Sequence, residues 1–271
     1  VKLQNKFEPI NYKVNNNGSN LNLVSNIELS ELDIKNQDLI KKYFPNTKNI
    51  LNLKDHKINI NYKNNIIFLK GLGKVKLENE FNQIGYSFSK KNKKYNFETD
   101  LEVNDAPLQI DIINYEKNKK FNSELSIIGS YTKKTGLDLK KIGLISKDNK
   151  LIINNLILDN KNRIVKVDKI DLDYFDNSEK RNKFVLNRIK NNYYELKGSF
   201  LNADPIVRSL LESKDDGQLN IFRENINISL NFSDVYLDSN NVVKNLKGQF
   251  QIIDNKVDQA NISAIFDDNK N

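Results

Sequence analysis

The 271-residue chain has no cysteine, no methionine and no tryptophan, and its one histidine is His56. Without cysteine it forms no disulfide, offers no thiolate to a metal and has no Cys nucleophile. With a single histidine, any Ser-His-Asp triad would have to use His56, which stands in the stretch LNLKDHKINI where a turn enters a strand and reads as a solvated turn residue. A zinc site lacks ligands, so neither metal nor cofactor is expected. The missing methionine, with Val1 as first residue, is expected of a slice of a longer protein whose signal peptide or membrane anchor would lie outside it. Long hydrophobic runs are missing too: the longest, Ile66 to Leu69, falls far short of the roughly 20 residues of a membrane helix. The slice is therefore expected to be soluble or peripheral. No Pro-rich or Gly-rich linker divides it, so residues 1–271 read as a single continuous β-sheet region, with a possible sub-boundary near a helix at 204–213.

What the chain has in abundance is two-residue alternation. Leu101 and Val103, then Leu108, Ile110 and Ile112, then Ile226, Ile228, Leu230 and Phe232 are separated by polar residues, the pattern of strands with one apolar and one wet face. Strands are also expected at Leu21–Leu29, Ile58–Tyr62, Ile66–Leu69, Val242–Leu246, Gln249–Ile253 and Asn261–Phe266. Between them the sequence predicts turns rich in Asn, Asp and Lys, for example at Lys90–Lys94, Asp159–Asn162 and Asp176–Lys183. Two helices are expected: Asn36–Tyr43, stopped by Pro45, and Asp204–Ser213, with Asp204 as N-cap and Pro205 in the first turn.

The net charge is +8, from 43 Lys and Arg against 35 Asp and Glu. Lysine is scattered with Asn and Ile throughout, as AT-rich coding produces, and its clusters fall at hairpin tips. A nucleic-acid surface would need basic residues gathered on one face with stacking aromatics, so no nucleic-acid partner is expected. Gly71-Leu72-Gly73-Lys74 follows a strand but opens no helix, and reads as a bend instead of a phosphate loop. Asp171 and Asp173 share one face of a strand, yet no acid pair is singled out. These readings point away from an enzyme.

The segment Tyr194 to Phe266 carries a strand ending in Gly198, an Asp-Pro helix start, two long alternating strands, and a unit built on Leu246, Gly248, Phe250, Ile252, the Asp254–Lys256 turn, Ile262, Ala264 and Phe266. This resembles the C-terminal region of the AsmA-like envelope proteins, most of all the YhdP-type branch. Asp105-Ala106-Pro107-Leu108 and Gly136-Leu137-Asp138-Leu139 are similar to other pieces of that branch. The resemblance covers somewhat under half of the chain, and its motifs are patterns of strands and turns. It implies an elongated, twisted antiparallel β-sheet folded into a groove, all-β in the main with one or two short helices. It further implies a periplasmic location in a Gram-negative envelope, inner-membrane anchoring through a segment outside this slice, and movement of phospholipid toward the outer membrane. No catalytic residues are implied.

An extended apolar face needs a cover, and acyl chains are a suitable one. The expected groove face consists of Phe97, Leu101, Val103, Ile110, Ile112, Ile226, Ile228, Leu230 and Phe232, with Glu98, Asp100, Glu102, Asp111, Asn227 and Asn231 on the other side. Phospholipid acyl chains and the adjoining strands of the parent chain are the expected partners. The alternative is a structural or protein-interaction β scaffold of the envelope, in which the apolar faces cover one another. An outer-membrane barrel is disfavoured by the absence of Trp girdles and by short strands.

Overall fold

A chain that is apolar at every second position can turn all those residues one way only if its backbone hydrogen bonds are met by neighbouring strands on either side. The computed structural model of the protein, which describes residues 11–17, 20–117, 121–205, 222–238 and 241–266, follows this rule. Sixteen strands belong to one large, open, mainly antiparallel sheet, and Gln109–Ile110 (β7) and Tyr115–Glu116 (β8) form a separate two-stranded one. The residues divide into two compact units. The first holds Val1–Gln109, Glu116–Thr135 and Ile142–Lys147; the second holds Ile110–Tyr115, Gly136–Lys141 and Asp148–Asn271. Strand Gly136–Ser146 (β10) contributes to both.

In the first unit, Asn11–Asn17 (β1), Asn20–Lys35 (β2), Ile50–Lys63 (β3), Ile66–Lys76 (β4), Phe81–Lys91 (β5), Lys94–Val103 (β6) and Ser123–Thr132 (β9) pair antiparallel in that order. Asparagine makes the tight turns. Asn64 and Asn65, between β3 and β4, have φ of 50° and 59°, the left-handed pair that matches the twist of a two-residue hairpin. Among the described residues, nine of the twelve non-glycine positions with left-handed φ are Asn, which tolerates that region better than other side chains. The helix expected over Asn36–Tyr43 is only the six-residue Asp38–Tyr43 (α1). It starts late because Asn36 is buried and occupied: its Nδ2 donates to Thr47 Oγ1 and Lys48 O, each at 2.8 Å, and its Oδ1 accepts from Gln37 N.

In the second unit, Lys150–Leu158 (β11), Lys169–Phe175 (β13), Arg181–Lys190 (β14), Tyr193–Asn202 (β15), Ile226–Tyr236 (β16), Val242–Ile253 (β17) and Lys256–Phe266 (β18) are neighbours in that order, with Ile164–Lys166 (β12) beside β11. The β15–β16 ladder is parallel, from Tyr193 opposite Asn227 to Asn202 opposite Tyr236. The connection must therefore carry the chain back along a whole strand, about 33 Å. Asp204 and Pro205 are helical as expected; the rest of the Asp204–Ser213 helix lies outside the described residues. The two strands expected at Val242–Leu246 and Gln249–Ile253 are one, kinked at a register shift where Asn245 has φ 51°.

The alternation Leu108, Ile110, Ile112 does not make a strand of the large sheet. After β7 the chain enters a 3-10 turn, Asp111–Ile113, and reverses at Asn114, φ 49°. Tyr115 then buries edge-on against Tyr174 with ring centroids 5.6 Å apart, and Tyr174 Oη donates to Ile113 O at 2.9 Å. These anchors outweigh three alternating residues.

One junction occurs twice. Asn82, fully buried as the second residue of β5, accepts at Oδ1 from Asn104 N (2.8 Å) just beyond β6 and donates through Nδ2 to Glu80 O (3.1 Å). Asn182, the second residue of β14, accepts from Asn202 N (2.8 Å) at the end of β15 and donates to Lys180 O and Asp176 Oδ2. An aspartate closes each preceding turn: Asp105 accepts from Asn79 N and Glu80 N, Asp176 from Ser178 N and Lys180 N. The amide side chain serves as acceptor and donor at once here. Asn82→Ala and Asn182→Ala are each expected to lower unfolding stability by about 1–3 kcal/mol, because a buried backbone N–H loses its partner. Urea titration checks this, and a change within about 0.5 kcal/mol would remove the junction from the fold's determinants.

Candidate functional site

Register lines up the apolar residues of the first unit in rows that cross β3, β4, β5, β6 and β9. The row nearest the β3–β4, β5–β6 and β9 turn ends is Tyr62, Ile67, Lys90, Tyr95 and Tyr131, each directly opposite the next. Two residues further in come Ile60, Leu69, Phe88, Phe97 and Gly129, and then Ile58, Gly71, Tyr86, Thr99 and Ile127. The fourth row holds Gly73, Ile84, Leu101 and Leu125; the last has Leu53, Val75 and Asn82 in register, with Val103 opposite Ser123. Exposure is graded along the strands. Val103 is 0% and Val75 5% exposed in the last row, the middle rows are half-buried, and Ile67 and Tyr131 reach 38% and 39% in the first. On the opposite face Glu98, Asp100 and Glu102 are exposed, as the two-residue period requires.

His56 is corrected by the structure. It lies inside β3 and is 2% exposed, where a register shift between Lys54 and Lys57 and a left-handed Asp55, φ 55°, turn its ring onto the apolar face. Lys74 O, 3.0 Å from Nε2, can only accept, so Nε2 carries a proton, and Nδ1 lies 3.1 Å from Tyr86 Oη. Burial pushes the Tyr86 phenol upward. Gly71 and Gly73 lie within β4, not at a bend: a Cβ at Gly71 would stand 2.2 Å from the Tyr86 ring and one at Gly73 2.4 Å from the His56 ring. These glycines are the floor under two rings.

In the second unit the apolar face is partly covered by the chain itself. Val167, Tyr194, Ile226 and Ile252 form a buried cluster against which Ile164, Phe222 and Ile228 pack; Phe232, Val235 and Val243 form another. Of the expected groove residues, Phe97 and Leu101 are half-buried and share the first unit's face with Val103, which is core. Ile228 and Leu230 are half-buried, whereas Ile226 and Phe232, at 3% and 1% exposed, are core. Ile110 lies in β7 and Ile112 in the 3-10 turn, outside the strands of the large sheet. Asn227 and Asn231 are exposed on the far side.

The two aspartates of β13 are held by cations. Arg181 donates to both Asp173 oxygens (2.9 and 3.0 Å) with Lys183 at 3.1 Å, and Lys150 stands 2.8 Å from Asp171. The Arg181 guanidinium holds the Asp173 carboxyl below the usual carboxylate range, burial opposing it and Lys183 adding to it. At Asp168 burial works upward, but hydrogen bonds from Lys166, Asn155 and Arg188 outweigh it. Asp171 and Asp173 are tied into ion pairs on the face opposite Leu172 and Tyr174, and Asp168 pairs with Lys166 and Arg188. Among the described residues no group of three or more His, Cys, Asp or Glu could hold a metal ion, and no helix is long and apolar enough to cross a membrane.

Comparison with known proteins gives no match among family models, curated proteins or solved structures.

Gly73→Ala is expected to destabilise the fold by about 1–3 kcal/mol through overpacking against His56. A Gly73→Ala protein with an unchanged urea midpoint would show that the ring moves freely. Asp168 and Asp173, whose folded pKa values lie below the unfolded value near 3.9, stabilise the fold above that pH and lose this contribution as the pH falls through the folded values. The urea midpoint is thus expected to drop below about pH 4, with a shallower acid limb in Asp173→Asn. An identical limb in that variant would contradict the assignment.

Proposed function

We propose that the protein is a non-enzymatic lipid-binding segment whose apolar sheet face takes phospholipid acyl chains, akin to the AsmA-like proteins of the YhdP type that its C-terminal strands resemble. The observation that carries this reading is the graded face of the first unit: five rows of side chains, buried at one end of the strands and half-exposed toward the other. Withdrawing one aliphatic side chain from water is worth about 1.5–3 kcal/mol, so a few rows suffice to hold an acyl chain without a directional contact. A face of this size is otherwise a liability in water. On this reading the protein works in the envelope of a Gram-negative cell, in the periplasm, as part of a longer inner-membrane-anchored chain that passes phospholipid between the two membranes.

A second reading, a structural β scaffold, is favoured by one observation: in the second unit Ile228 packs against the cluster that contains Val167, so part of that face already serves as core. The two readings separate in one experiment. Phe97→Asp and Leu69→Asp place a charge on the half-buried second row. They are expected to abolish phospholipid seen by native mass spectrometry in the purified protein while leaving the β circular dichroism signal intact. Val103→Asp, in the core, is expected to unfold the sheet. If Phe97→Asp and Leu69→Asp unfold the protein as Val103→Asp does, the rows are ordinary core and the scaffold takes the place of the conduit.

A further inference from the structure

The outer row of the first unit's apolar face differs from the four behind it. Phe88 and Tyr95 have ring centroids 5.9 Å apart, and Tyr95 and Tyr131 are 6.3 Å apart. The Lys90 ammonium lies 5.4 Å above the centre of the Tyr95 ring, on the apolar side of the sheet. Register brings three turns to this margin. They carry Lys63 at the end of β3, Lys91, Lys93 and Lys94 around the β5–β6 turn, and Lys134 after β9, all exposed. The stretches 61–67, 87–96 and 130–136 that form it contain no Asp or Glu. At the other end of the same strands and their connections Glu78, Glu80, Glu102, Asp105 and Glu124 outnumber Lys54, Lys74 and Lys76. The charge therefore runs parallel to the gradient of burial. Five strands at about 4.8 Å spacing make a margin roughly 19 Å wide, room for headgroups side by side. Tyrosines present an apolar body and a polar tip, and lysines snorkel; both suit a place where acyl chain gives way to headgroup.

We propose that this margin holds the anionic headgroup of a phospholipid whose acyl chains lie on the rows behind it. The proposal rests on the lipid-binding reading above and adds to it a substrate class, anionic over zwitterionic phospholipid. Lys90 is the central contact, since it alone among these lysines lies in register within the apolar row itself.

The test measures equilibrium binding of phosphatidylglycerol and phosphatidylcholine carrying the same fluorescent acyl chains to the 271-residue protein. Phosphatidylglycerol is expected to bind more tightly, and the difference to shrink as ionic strength rises to about 0.5 M. A lysine near an anionic surface is worth roughly fivefold in affinity, so the combined variant K90Q/K91Q/K93Q/K94Q should lose at least about tenfold for phosphatidylglycerol and keep its phosphatidylcholine affinity. The all-arginine variant at these four positions should retain the preference. So should K35Q/K48Q/K57Q/K70Q, which removes the same charge elsewhere on the first unit. Equal affinity for the two lipids, or a preference that survives K90Q/K91Q/K93Q/K94Q, would overturn the proposal and leave the lipid-binding reading standing. Complete displacement of phosphatidylglycerol by excess inorganic phosphate would overturn it in favour of a free-anion site. If neither lipid binds, the lipid-binding reading fails, and the headgroup site with it.

Discussion

Hydrogen-bond register between neighbouring strands decides which side chains meet in this protein, because a slip of one residue would carry a strand's apolar set to the opposite face. The rows of the first unit exist only while Tyr62, Ile67, Lys90, Tyr95 and Tyr131 stay opposite one another. Asn82 holds that alignment by tying the start of β5 to the end of β6, and Asn182 does the same for β14 and β15 in the second unit. The few departures from strict register also have a role: the bulge at Asp55 turns His56 inward, and the shift near Asn245 kinks β17.

Packing on such a sheet is lateral before it is layered. Gly71 and Gly73 leave room for the rings of Tyr86 and His56 to lie across β4, and Tyr95 meets Tyr131 along the margin and Phe88 in the row behind it. The two units close their apolar faces to different degrees. In the second, Phe222, Ile164 and Val167 come from outside the long strands to sit on Tyr194 and Ile226. In the first, the sealed end among the described residues is the one marked by Val75 and Val103, which is why that unit carries the functional reading.

Much of the architecture was legible in the chain because two-residue alternation is a local signal. Phe97, Leu101 and Val103 face one way, and Glu98, Asp100 and Glu102 the other, as spacing alone predicts. Ile110 and Ile112 were misplaced because three alternating residues weigh less than the tertiary anchors at Tyr115 and Tyr174. His56 and the Gly71–Gly73 pair escaped because their meaning depends on each other across strands, and neither stretch shows that pairing by itself. The lysines looked like unrelated hairpin tips; only register shows that alternate turns fall at the same end of the sheet. The abundance of Asn was read as a coding bias, yet its left-handed turns and the two buried junctions give it structural work in a chain with ten glycines.

The parallel ladder between β15 and β16 bears on how the chain reaches this state. A meander assembles from hairpins whose first contacts are a few residues apart, so each can close early and at low entropic cost. In the parallel ladder no pair is local: Tyr193 meets Asn227 and Asn202 meets Tyr236 only after the whole intervening segment has looped back. That single step raises the contact order of the second unit and places β16–β18 late in folding. Until it closes, β15 presents an open edge during synthesis, and the exposed span of the nascent chain is the stretch from Tyr193 to Asn202.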